Sequence, residues 1–347
     1  MKRILSCVIV LTFLLGCTRP SANAAAGTAA ARQSETERIE ASESNGGGEI
    51  QIQPKKEADS LRADAVEETV LISAPEAPQE QEQEPAPFGL LGNRFADKFS
   101  DEPEYGERSY RSKTISITIQ SYTVKDTYAN ITTYHVADIY VQDVTSIRTA
   151  AAKGNFNTRY SRTVREIAKD VGALLAIDGD SYAREKGSFV IRNGELYRQT
   201  LIEDTDLCIL YRDGRMETKR WGTFTMQEII DADPWQVWGF GPALLDEEGH
   251  SMEINHRLAS HNPRAAIGYY EPGHYCFVIV DGRQPDWSVG VRLTALSRLM
   301  EDLGCKVAYN LDGGGSAQMY WDGDIISKSC NESRVVSDII YILPEEE

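Results

Sequence analysis

Near the C-terminal end of this 347-residue chain stand Asn310-Leu311-Asp312-Gly313-Gly314-Gly315-Ser316: an acid, three successive glycines and a hydroxyl. Such glycines expose backbone N–H groups with no Cβ to obstruct an approaching anion, and the carboxylate beside them can move a proton. A plain hairpin turn needs one or two glycines rather than three, so the run points to phosphate or sugar chemistry. Asp178-Gly179-Asp180 repeats the acidic theme. Two acids flanking one glycine after a buried strand repel each other unless a partner is present. That makes Asp178 and Asp180 candidates for acid–base work or for holding a cation. Arg264 directly follows Pro263, and its planar fork suits a phosphate or carboxylate.

Other chemistries find less support. Ser316 has no G-x-S-x-G elbow around it, which argues against a serine hydrolase. His135, His250, His256, His261 and His274 are scattered without ligand spacing, and no cysteines carry the paired spacing of a zinc site. Cys208, Cys276, Cys305 and Cys330 allow three disulfide pairings, among which the sequence does not choose. Asp213, Asp281 and Asp322 each precede a glycine and read as turn residues.

The elements that must position these groups are legible as alternating apolar strands and short capped helices. Ile115, Ile117 and Ile119 alternate with polar residues, as in a half-buried strand. Thr163 with Glu166, and Thr225 with Glu228, predict capping boxes opening two short helices, the first closed by Gly172. Asn193-Gly194 between apolar runs predicts a tight hairpin. Leu296, Leu299, Met300 and Leu303 fall at helical spacing before Gly304. Aligning Gly172 with Gly304 sets two helix–glycine–strand–acid units side by side, with Asp178 over Asn310 and Asp180 over Asp312. Residues two apart on a strand share a face, so Asp178 and Asp180 are expected to point together and the two strand ends to converge on one cleft. The whole reads as an α+β fold: a strand-rich mixed sheet core with a few short helices, preceded by a disordered tether.

Charge divides the chain. Residues 28–104 hold 18 acidic against 7 basic residues, so most of the net charge of −17 lies outside the strand-rich region. No basic stripe is visible, which excludes nucleic acid as an expected partner. Residues 18–104 are rich in Ala, Glu, Gln, Ser and Pro and cannot bury enough apolar surface to offset chain entropy. As a coil this linker would reach roughly 50 Å. Lys2-Arg3 and the apolar run to Leu15 have the pattern of an export signal. Its exit is either a lipoprotein box ending at Cys17 or an A-x-A site at Ala22–Ala24. We take the first, since a cysteine closing an apolar segment is otherwise unexplained. The expected organisation is then a signal and lipobox over 1–17, a linker over 18–104 and a catalytic domain over 105–347. The protein would work outside the cytoplasm, anchored to the membrane through a lipid on Cys17.

Four segments in order, Ala176-Ile177-Asp178-Gly179-Asp180, Gly239-Phe240-Gly241-Pro242-Ala243-Leu244, Asn262-Pro263-Arg264-Ala265-Ala266-Ile267-Gly268 and Asn310 through Ser316, together resemble the phosphodiester glycosidase family. The resemblance covers roughly residues 105–343. It implies an exported hydrolase that removes a sugar joined through its anomeric carbon to a phosphodiester in envelope or extracellular polysaccharide. On the same ground Asp312, Asp180 and Asp178 would be catalytic. Arg264, Asn262, Gly313, Gly314, Gly315, Ser316, Asn310 and Gly241 would hold the sugar-phosphate glycan. No cofactor is expected; a divalent cation at Asp178, Asp180 and Asp312 is the alternative. Two positions depart from the family pattern, Asp178 where Asn is usual and Ala265 where a hydroxyl residue is usual. The first adds charge beside a phosphate site and the second removes a donor. The competing functions are a non-catalytic glycan-binding module and a metal-dependent phosphodiesterase.

Overall fold

The computed structural model describes residues 91–345, apart from 93, 127–129, 158, 183–187, 257–258, 329 and 331–333. These residues fall in the compact unit Ala77–Glu347. The expected signal, Cys17 and most of the linker lie outside the described residues, and so does the whole of the unit Met1–Glu76.

Two short strands, β1 (Glu104–Gly106) and β2 (Ser109–Arg111), lead into a long ribbon of β3 (Ile115–Lys125) and β4 (Ile131–Val141). The alternating isoleucines of β3 turn inward, and the register runs from Ile115↔Val141 to Lys125↔Ile131. After β5 (Arg148–Ala151), helix α1 (Val164–Val171) opens on the expected capping box and stops at left-handed Gly172. It delivers β6 (Leu175–Asp178), buried on both faces. The hairpin of β7 (Phe189–Arg192) and β8 (Glu195–Gln199) turns on Asn193 and Gly194, both at positive φ as a type I′ turn requires. There follow β9 (Leu207–Leu210), β10 (Met216–Lys219), the Thr225-capped helix α2 (Met226–Asp231) and β11 (Gln236–Trp238). The chain ends with β12 (Arg264–Glu271), β13 (His274–Val280), α3 (Leu293–Asp302), β14 (Val307–Asn310), β15 (Met319–Trp321), β16 (Asp324–Ile325) and β17 (Asp338–Ile342).

The α+β fold thus resolves into three sheets whose described pairings are antiparallel: β1-β2-β3-β4-β13-β12-β14, β10-β9-β11-β7-β8 and β16-β15-β6-β17-β5. The main core lies where they meet. Ile117, Ile139, Ile267 and Phe277 from the first sheet pack with Cys208 and Trp238 from the second and Ile177, Met319 and Ile340 from the third. Each such side chain, fully buried, contributes on the order of 2 kcal/mol. On the far side of the first sheet, Leu293, Leu296 and Met300 of α3 cover Ala266, Val278 and Ala308. Among the described residues no helix is long and apolar enough to cross a membrane.

Composition extends the linker to residue 104, yet the fold begins earlier. The Leu91 N–H donates to the Gln142 carbonyl at 2.8 Å and its side chain packs on the main core. Phe95 meets Tyr140 edge-on with ring centroids 5.0 Å apart. Two apolar side chains inside an acidic stretch are enough to dock it.

Candidate active site

The two helix–strand units end at one place. Beyond β14 the Leu311 N–H still bonds the Ala265 carbonyl (2.9 Å), and the Asp312 N–H crosses to the Gly179 carbonyl at the end of β6 (3.1 Å). The Gly314 N–H then donates to the Pro263 carbonyl (2.9 Å). The glycine bend is therefore sewn to the end of one sheet and the start of β12 in another. Gly314, Gly315 and Ser316 form a single 3-10 turn. Space calls for glycine at 313, where a Cβ would lie 2.9 Å from the Pro263 carbonyl oxygen, and the left-handed φ of +65° favours it at 314.

Asp312 is 7% exposed and fully engaged. Its Oδ1 accepts from the Gly313 N–H (2.9 Å) and from Arg334 Nη2 (2.8 Å). Its Oδ2 accepts from Ser316 Oγ (2.7 Å) and from the same Arg334 nitrogen (3.0 Å). Arg334 also donates through Nε to Ser316 Oγ (2.8 Å) and through Nη2 to the Gly313 carbonyl (2.8 Å). These charge-assisted bonds fix the orientation of the carboxylate at the edge of solvent.

Asp178 lies behind it, wholly buried. Its Oδ1 accepts from the Gln318 N–H (3.1 Å), and its Oδ2 has no partner among the described residues. Burial, then the charge of Asp312, pushes this carboxyl well above the ordinary carboxylate range, with Arg334 offsetting a part. A neutral acid at this position offers a donor, as the Asn usual in the family would. The raised pKa works against the added negative charge expected from this departure.

Asp180 does not point with Asp178. Strand β6 ends at Asp178, so the two-residue periodicity fails one step later. The chain instead turns at Gly179, where a Cβ would lie 2.3 Å from Asp338 Oδ1. The Asp180 carboxylate accepts from Arg192 Nη2 (2.7 Å), the Gly239 N–H (3.2 Å) and the Tyr182 N–H (3.0 Å). Arg192, fully buried, also donates through Nε to Asp338 Oδ2 (3.0 Å), and Asp338 Oδ1 accepts from the Asp180 N–H (3.0 Å). Burial drives the Asp338 carboxyl up to about 7 even with Arg192 alongside. Asp180 belongs to a closed structural network that ties β6, β7 and β17 together. The two strand ends meet through the Asp312 N–H and the Gly179 carbonyl, with Asp312 near enough to Asp178 for its charge to be felt there. With Asp180 held by Arg192 and Asp312 by Arg334, the three acids do not form a cation cage. Among the described residues no three His, Cys, Asp or Glu side chains gather as a metal-binding set.

Two more arginines lie beside the bend. Arg264, 3% exposed at the start of β12, donates through Nε to the Val291 carbonyl (3.2 Å) and through Nη2 to the Ser260 carbonyl (2.5 Å). Burial, then the charge of Arg283, lowers its pKa to about 10. Arg283 is exposed, at φ 58°, and donates through Nε and Nη2 to Asn262 Oδ1 (3.1 and 2.7 Å). Among the described residues no carboxylate lies within ion-pairing range of Arg283. Two adjacent guanidinium groups create a positive potential that would favour an anion beside them. Asp281, read from sequence as a turn residue, anchors this loop: its carboxylate accepts from the Lys328 N–H (2.9 Å) and Trp287 Nε1 (2.8 Å).

The remaining expectations divide. Asn262 is at the site, orienting Arg283. Asn310 is fully buried and donates through Nδ2 to the Gly241 carbonyl (2.7 Å), so this pair supports the bend from behind. Of the amides expected to cradle an anion, those of Gly313 and Gly314 are already spent on Asp312 and Pro263. Sequence reasoning missed Arg283 and Arg334. The one available signal for Arg334 was that it is the single basic residue between Ser329 and Leu343.

Asp312 thus stands on a glycine bend where the ends of the sheets meet, bonded by Arg334 and with the Arg283 guanidinium close to Gly314. Residues 171–343 match the family described as phosphodiester glycosidase, and through them the chain belongs to that family. It is 26% identical over 203 residues to the SPbeta prophage-derived uncharacterized protein YomE of Bacillus subtilis (strain 168). That match takes in 55% of this chain and 31% of the relative, so the chain spans about a third of the relative's length. The fold is similar to that of the zebrafish N-acetylglucosamine-1-phosphodiester alpha-N-acetylglucosaminidase catalytic domain auto-inhibited by its pro-peptide. The TM-score is 0.54 at 21% identity, over 70% of this chain and 88% of that one.

Proposed function

We propose that the protein is an exported hydrolase that releases a sugar from a sugar-1-phosphodiester of envelope or extracellular polysaccharide. The observation that carries this reading is that Asp312 and the Arg283 guanidinium, with Arg264 beside it, lie against one glycine bend. A phosphodiester carries one negative charge next to the anomeric carbon, so substrate would be held by Arg283 with Arg264 behind it. Asp312, held by Arg334, would then face the anomeric centre, where positive charge develops as the C–O bond to phosphate breaks. It assists attack by water or stabilises that charge. Burial and the neighbouring Asp312 favour the protonated form of Asp178, which lessens its repulsion of the phosphate. Phosphate leaves readily as an anion, which explains why the cleft needs little general-acid help on that side. The export signal and Cys17 motivate a site of action outside the cytoplasm on a lipid anchor.

The test is hydrolysis of a panel of sugar-1-phosphodiesters in oxygen-18 water by the purified protein. This reading expects label at C1 of the freed sugar. Label in the phosphate would instead indicate P–O cleavage, and binding without turnover across the panel a glycan-binding module.

A further inference from the structure

Cys276 lies in β13 and Cys305 two residues before β14, and their Sγ atoms are 3.7 Å apart in the core under α3. The strand between them is β12, where Gly268 supplies the room: a Cβ there would lie 2.6 Å from each sulfur and 2.7 Å from the Met300 methyl. Cys208 sits fully buried in the main core, and Cys330 is half-buried with its thiol free.

We propose that Cys276 and Cys305 form a reversible cystine that bridges the two neighbours of β12. The sulfurs need to close by less than 2 Å to reach bonding distance, about 2.05 Å, within an already packed cluster. The pair is asymmetric in a way that orders the steps. Hydrogen bonds from Cys276 and Tyr270 lower the pKa of Cys305, whereas the contact with Cys305 and burial raise that of Cys276. Cys305 is also the more accessible, at 4% against 0%. Its thiolate attacks one sulfur of a small-molecule or protein disulfide, forming a mixed disulfide and expelling one thiol, which takes up the proton Cys305 lost. Cys276 then attacks the Cys305 sulfur and expels the second thiol with the second proton. One disulfide and two protein thiols become one protein cystine and two thiols, so the electrons balance. The bridge closes a separation of 29 residues that includes α3, and it ties β13, which leads to Arg283, to the turn before β14, which leads to Asp312. Neither cysteine belongs to the catalytic machinery, so the cystine acts on stability rather than on turnover.

The experiment equilibrates the full-length protein with mixtures of reduced and oxidised glutathione, traps thiols by alkylation and maps peptides by mass spectrometry. The expected result is a Cys276–Cys305 cross-linked peptide, two hydrogens lighter and reversed by dithiothreitol. The oxidised form should melt about 5–10 °C above the reduced one. That difference should vanish in Cys305→Ser and in the double variant Cys276→Ser/Cys305→Ser. Alkylation of both cysteines under oxidising conditions, linkage of either to Cys208 or Cys330, or equal melting of the oxidised and reduced forms would overturn the proposal. Peptide mapping of the unmutated protein decides the matter even where a serine variant folds poorly.

Discussion

Arg334 holds Asp312 through one nitrogen shared between both carboxylate oxygens, at 2.8 and 3.0 Å, while its Nε fixes the Ser316 hydroxyl that also bonds that carboxylate. The arginine side chain is 37% exposed and the aspartate side chain 10%, so the pair sits at the boundary between core and solvent. There a charge-assisted bond positions a carboxylate for chemistry and contributes little to global stability.

Removing the cation should therefore hurt turnover more than folding. Arg334→Ala is expected to lower kcat/KM by about 100-fold, roughly 3 kcal/mol of transition-state stabilisation, with the melting temperature within a few degrees of the parent. Arg334→Lys keeps the charge but loses the Nε bond to Ser316, and should recover only part of the loss. Steady-state kinetics beside thermal melts separate the two effects.

Arg283 is exposed, so its truncation should leave stability within about 0.5 kcal/mol. Arg283→Ala is expected to weaken competitive inhibition by inorganic phosphate about tenfold and to cut kcat/KM by about 100-fold. Unchanged phosphate inhibition would remove Arg283 from the anion site.

Asp178 gives a pH signature with a definite sign. Its folded-state pKa is raised, by burial first and by Asp312 second. The stability tied to its proton is fully present below the ordinary carboxylate range and is lost as pH rises through the raised value. Asp178→Asn keeps a donor and has no proton to lose. It should match the parent in melting temperature at pH 4 and exceed it by a few degrees at pH 8, with activity retained. Equal differences at both pH values would show that Asp178 does not carry the proton.

The Asp180–Arg192–Asp338 network predicts the opposite phenotype to Arg334. Arg192→Ala leaves two buried carboxylates without their cation, at a cost of about 3–5 kcal/mol. The melting temperature should fall by about 10 °C. Any loss of activity should follow the folded fraction, as circular dichroism and kinetics on the same samples would reveal.

Local chemistry was legible in the sequence where a few neighbouring residues settle it. Both capping boxes, the Asn193-Gly194 turn and the inward isoleucines of β3 stand where propensity and periodicity put them. So does the meeting of the two helix–strand units, because each ends in a glycine turn that has to leave its sheet. What the sequence did not disclose depends on distant pairings. Arg192 reaches Asp338 across 146 positions and Arg334 reaches Asp312 across 22, and neither arginine stands in a distinctive local pattern. Asp180 stands apart from Asp178 because β6 ends two residues before it, so strand alternation does not reach it. The Gly313 and Gly314 amides were assigned to an anion although the fold needed them for its own carbonyl and carboxylate acceptors.

Asp312→Asn measures the central assignment most directly, since it preserves shape and removes only the charge and its proton affinity. With a sugar-1-phosphodiester as substrate, release of free sugar should fall by at least about 1,000-fold while phosphate inhibition and melting temperature stay close to the parent. Sugar release within tenfold of the parent would contradict a catalytic role for Asp312 and the hydrolase built around it.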